Sequence, residues 1–144
     1  MSVVKFSVTS KSENPTKTVV DTGSFKMIID EPKGLGGTDE GANPVEFVLG
    51  ALSGCLNVVG HMIAKEMGFN LEGLEFVVEG DLDPAKFQGA TSDGRAGFSE
   101  IRASVIAKTD ADDAVLQQWL AKVEERCPVS DNLSNTTPVK ITLG

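Results

Sequence analysis

The sequence is poor in the residues that build metal centres and covalent scaffolds. Its 144 positions hold two cysteines and one histidine. Two cysteines are too few for a disulfide framework, and 72 positions between them exclude a CxxC redox motif. With a single histidine they also cannot close an ordinary zinc site within one chain. Basic residues are scarce as well: 13 Lys and Arg stand against 21 Asp and Glu, for a net charge of −8. The basic residues form no cluster, so a polyanion is repelled and nucleic acid is not an expected partner. No apolar run is read as long enough to span a bilayer, and the start, MSVVKFSVTS, lacks the pattern of a signal peptide. The expectation is a cytoplasmic protein with no membrane partner. At 40% apolar residues the chain has enough material for one core, and residues 1–144 read as a single domain.

Val4, Phe6 and Val8 alternate with polar residues as in a half-buried strand, and Phe25, Met27 and Ile29 repeat that period after Asp21-Thr22-Gly23. The stretch EPKGLGGTDEGAN, residues 31–43, carries four glycines and reads as a loop. Its glycines fit neither a P-loop nor GxGxxG, and no cofactor is expected. A helix follows, with Asn43 as its cap, Pro44 in first position, Glu46 completing a capping box and Gly68 as its stop. Its middle, FVLGALSGCLNVVGHMI, is apolar or small almost all round, which predicts burial on most faces. A domain this small achieves that most readily with a second chain.

Leu74, Phe76 and Val78, then Ile101, Ala103, Val105 and Ala107, alternate as two strands joined by a loop over residues 83–97. Asp110 is expected to cap a second helix, in which Val115, Leu116, Trp119, Leu120 and Val123 fall at helical spacing. CPVSDNLSNTTP breaks that helix and allows a short turn of helix from Pro128, and VKITL reads as a closing strand. The fold class is therefore α+β.

The cysteines admit two readings each. Cys55 lies mid-helix among Val48, Leu52, Val59 and Met62, where a thiol is either an inert small hydrophobe or a nucleophile that needs a cation to ionise. Cys127 precedes a proline at a helix start, where free backbone N–H groups favour thiolate, or where it merely caps. His61, six positions past Cys55, is on another face and reads as a core or interface residue.

The segments NPVEFVLGALSGCL (43–56) and RCPVSDNL (126–133) resemble the two signature segments of the OsmC/Ohr superfamily, and the order of elements is similar to that family across nearly the whole chain. The resemblance implies an intertwined homodimer, with antiparallel sheets wrapped around two central helices. It also implies a thiol-dependent peroxidase that reduces organic or lipid hydroperoxides. Cys55 then matches the peroxidatic cysteine and Cys127 the resolving one, passing through a sulfenic acid to a Cys55–Cys127 disulfide. The reductant implied is a dithiol, such as a lipoylated protein.

Two departures bear on that activity. Peroxide-reducing members hold the thiolate with an arginine and hold that arginine with a glutamate, yet this chain has no arginine before Arg95. A lysine cannot reproduce the planar two-pronged contact. Glu46 stands second after Pro44, where those members place glutamate directly after the proline. On a helix the nine positions from Glu46 to Cys55 rise about 13.5 Å and turn roughly 180°, so Glu46 either serves the site across a dimer or only completes the cap. The alternative function is an OsmC-like redox-sensing or apolar-ligand-binding protein with little peroxidase activity.

Overall fold

A computed structural model describes residues 2–144, which pack as two compact units, the first running to Val48 and the second from Leu49. The first unit is a three-stranded antiparallel meander of β1 (Thr9–Ser12), β2 (Thr18–Asp21) and β3 (Lys26–Ile29), in which Val20 faces Met27 across the ladder. The loop after β3 makes one 3-10 turn, Lys33–Leu35, and is organised by Asp30. That carboxylate is fully buried and accepts hydrogen bonds from the hydroxyls of Thr16 and Thr38 and from the N–H groups of Glu31, Thr38 and Glu40. Burial alone would raise its pKa, but these donors, Thr38 first among them, hold it well below the usual carboxylate range. The loop wraps so closely that a Cβ on Gly37 would strike the Glu31 carbonyl, and one on Gly41 the Ile28 carbonyl. Two of the loop's glycines are thus required for close approach of backbone to backbone.

Helix α1 (Pro44–Met67) begins as the sequence predicts, with the Asn43 side chain accepting from the Glu46 N–H at 2.8 Å and Pro44 in first position. It stops at Gly68, whose φ of 78° permits the left-handed end that a side chain would disfavour. By length and composition α1 could cross a membrane, which corrects the expectation that no run is long enough. Core helices meet the same test, and in the second unit one side of α1 forms the core. Leu52, Leu56, Val59, Ile63 and Ala64 are buried there together with Trp119, Val123 and Cys127.

Strands β4 (Leu71–Leu82) and β5 (Phe98–Thr109) form a long antiparallel hairpin that sets Leu74 opposite Ala107 and Phe76 opposite Val105. Leu74, Phe76, Val78, Ile101 and Val105 pack from this sheet onto the core. Helix α2 (Asp113–Arg126) is capped by Asp112, not Asp110, because the Asp112 carboxylate accepts from the Val115 N–H at 2.9 Å. Helix α3 (Pro128–Ser134) follows after the single residue Cys127.

Three further expectations need correction. Residues 2–8 form no strand, so Val4, Phe6 and Val8 lie exposed. VKITL forms none either, with Ile141 at 92% exposure. And α1 is buried on one side only, since Val58 is 66% and Met62 43% exposed. The shared cause is physical: an alternating segment becomes a strand only against a neighbouring edge, and an apolar helix face is covered only by a packed partner.

Candidate functional site

The second unit brings its two cysteines together. The Cys127 thiol lies 3.1 Å from the Cys55 sulfur, and both are free. Cys55 stands mid-helix beside the core residues Leu52 and Leu56, half-buried. Cys127 is 1% exposed.

Local chemistry explains how Cys127 arrives there. A proline disfavours helical geometry in the residue before it, so Pro128 ends α2 at Arg126 and leaves Cys127 extended, at φ −80° and ψ 109°. Cys127 then becomes the N-cap of α3, its sulfur accepting from the Ser130 N–H at 3.4 Å. Upstream, α2 is fixed to α1 by a buried hydrogen bond from the Trp119 indole to the Gly60 carbonyl, 2.8 Å, and Trp119 also meets Phe69, just past the end of α1, edge-on. At its last residue, Arg126 grips Glu66 of α1 with two N–H groups at 2.6 and 3.1 Å.

The electrostatics of Cys55 are set first by burial. Desolvation pushes the Cys55 thiol pKa up, a backbone hydrogen bond from Val129 opposes the rise, and the adjoining Cys127 sulfur adds to it. Within this unit, among the described residues, no lysine or arginine hydrogen-bonds either sulfur. Arg102 is committed to Asp81 and Glu100 on the hairpin, and Arg126 to Glu66. Arg95 lies in the loop between β4 and β5.

Glu46 is found in the first turn of α1, with its N–H in the Asn43 cap. His61 is half-buried. Two contributors to the sulfur pair, the N–H groups of Val129 and Ser130, carry no signal of their own, although a Cys-Pro at a helix start foretells donors of this kind. Asp30 of the first unit also gives no sequence signal, being a lone carboxylate at a strand end.

Two free thiols at this distance can make and break a disulfide. The uncharacterized protein YmaD of Bacillus subtilis (strain 168) is 28% identical over 127 residues, covering 85% of this chain and 80% of its own. An OsmC-like protein from Mycoplasma pneumoniae has the same fold at a TM-score of 0.79 and 20% identity, over 91% of this chain and 88% of that one. A Legionella pneumophila protein described as an organic hydroperoxide resistance protein OsmC aligns at a TM-score of 0.65 and 19% identity, over 92% and 91%. The family model for OsmC-like protein matches residues 37–142, a span that includes both cysteines, and this chain belongs to that family.

Proposed function

We propose that this protein is a thiol-dependent peroxidase for organic hydroperoxides, with Cys55 attacking and Cys127 resolving. The observation that carries the reading is the 3.1 Å approach of two free sulfurs. The Cys55 thiolate attacks the terminal peroxide oxygen, an S–O bond forms, the O–O bond breaks, and the alkoxide leaves as alcohol on taking a proton. Cys127 then attacks the sulfenic sulfur, forming the disulfide and releasing water. An external dithiol, such as a lipoylated protein, returns both thiols and is itself oxidised to its disulfide. Family members named for organic hydroperoxide resistance support this role at the level of the family.

The working form in this reading is a homodimer. The exposed side of α1 around Val58 and Met62, and the unpaired apolar ends around Phe6 and Ile141, are surfaces that a second copy would cover. Glu46 of a second copy is then the carboxylate available to serve the site. A second reading, a sensing or ligand-binding protein of slow thiol chemistry, is favoured by one observation: burial raises the Cys55 thiol while Arg102 and Arg126 are held by carboxylates.

One experiment separates them. Reduced protein receives one equivalent of cumene hydroperoxide, and free thiols and non-reduced peptides are followed with time. Loss of both thiols within seconds, with a Cys55–Cys127 peptide pair, supports the peroxidase. Thiols that persist for hours at neutral pH overturn it in favour of the second reading.

A further inference from the structure

Arg126 and Cys127 are neighbours in the chain, yet their side chains reach α1 at two separate places. Cys127 meets Cys55 at 3.1 Å, while Arg126 grips Glu66 through N–H groups at 2.6 and 3.1 Å and meets the Met62 sulfur at 4.0 Å. Glu66 lies 11 positions past Cys55. That is about three helical turns, so the two stand on one face of α1, about 16.5 Å apart along its axis. The end of α2 is thus pinned to α1 from both sides.

What the pins hold is a joint. Cys127 alone separates α2 from α3, in extended backbone between the two helices. Helix α3 has no buried residue and packs on the core through the partly buried Val129, so it secures the joint weakly. The place of the Cys127 sulfur therefore depends on how the end of α2 is held. Among the described residues, Arg126–Glu66 is the one ion pair that joins α1 to α2. Its hydrogen bonds draw the Glu66 carboxyl below the usual carboxylate range, so both partners are charged at neutral pH. A two-pronged contact of this kind fixes direction as well as distance.

We propose that Arg126 and Glu66 are positioning residues for the thiol pair: their clamp keeps the joint docked, so that the Cys127 sulfur stays within reach of Cys55 and the disulfide closes more readily. Without the clamp a share of the reduced molecules holds Cys127 away from Cys55, and the equilibrium constant for closure falls with the share that remains docked. This rests on the reading above, in which Cys127 resolves oxidised Cys55. Closure can be measured with no peroxide, however, so the two fail separately.

The full-length protein is equilibrated in glutathione buffers, where glutathione disulfide takes two electrons and two protons from the thiol pair and leaves as two glutathione thiols. The ratio of disulfide to dithiol, read by mass after acid quench and alkylation, gives the constant. Glu66→Gln and Arg126→Gln should each lower it about two- to fivefold, the range for an exposed charge pair of good geometry. The exchanged pair, Glu66→Arg with Arg126→Glu, should recover most of that loss. Sodium chloride at about 1 M should lower the wild-type constant toward those of the single variants and change theirs little. Equal constants in wild type and both single variants overturn the clamp and leave the disulfide chemistry standing. A loss that the exchanged pair does not recover and salt does not imitate also overturns it, since packing alone then accounts for the effect. Wild type that forms no disulfide in any buffer overturns the resolving role of Cys127, and the clamp with it.

Discussion

Trp119 and Gly60 are 59 positions apart in the chain, yet the indole N–H of one donates to the carbonyl oxygen of the other across 2.8 Å inside the core. The absence of a side chain at residue 60 permits this, since a Cβ there would lie 3.0 Å from both the Trp119 ring and Leu74. Replacing Trp119 with Phe should therefore cost about 1 to 3 kcal/mol, from the lost hydrogen bond and the space left behind. Gly60→Ala should also destabilise, crowding outweighing the gain in helix propensity of about 1 kcal/mol. Urea unfolding of each variant against wild type measures both, and a stabilised Gly60→Ala would contradict the packing described.

The Cys55 thiol is raised by burial, and its reactivity should follow. Alkylation by a neutral reagent such as iodoacetamide should be slow at pH 7 and climb with a midpoint above that of an ordinary thiol. The linkage sign is that of an acid kept protonated by the fold: its contribution to stability is present below the unfolded thiol pKa and declines as pH rises through the folded value. A midpoint below the ordinary thiol value, measured by mass spectrometry of Cys55 peptides, would show that a cation reaches the sulfur.

Cys127 has a capping role separable from its redox role. Cys127→Ser keeps an acceptor for the Ser130 N–H, whereas Cys127→Ala removes it, so the alanine variant should be less stable by about 0.5 to 2 kcal/mol. Neither can form the intramolecular disulfide. Under excess hydroperoxide both should carry Cys55 on to sulfinic acid, read as a gain of two oxygens on the intact protein.

Asp30 predicts a pH signature. Its carboxyl is held well below the usual range by hydrogen bonds, so its stabilising contribution is present above the unfolded carboxylate pKa and lost as pH falls through the folded value. Asp30→Asn should accordingly be less stable than wild type at neutral pH, with the gap narrowing in strong acid. Thermal melts of both proteins across that range would show it, and a gap independent of pH would reject it.

What the sequence disclosed depended on how local the governing physics is. The ends of α1 were legible because Asn43, Pro44 and Gly68 act on their immediate neighbours. The break at Cys127-Pro128 was legible for the same reason. With Asp110 and Asp112 two positions apart, composition could not choose, and the choice was made by where the Val115 N–H points. The meeting of Cys55 and Cys127 is a property of packing over 72 positions, and only the resemblance of their two segments to a family foretold it. Asp30 escaped notice because its five donors are scattered from Thr16 to Glu40 and are gathered only by the wrapped loop.

The bare ends of the chain also have a kinetic meaning. Phe6 near one end and Ile141 near the other lie outside any strand or helix, at 90% and 92% exposure. If they are completed only by another molecule, the last step of refolding is a collision, and its rate should rise in proportion to protein concentration while the early, core-forming step does not change. On the same condition, a protease should trim these ends first in dilute solution and leave the α1–α2 core, and the time before encounter would be the period of greatest exposure to degradation.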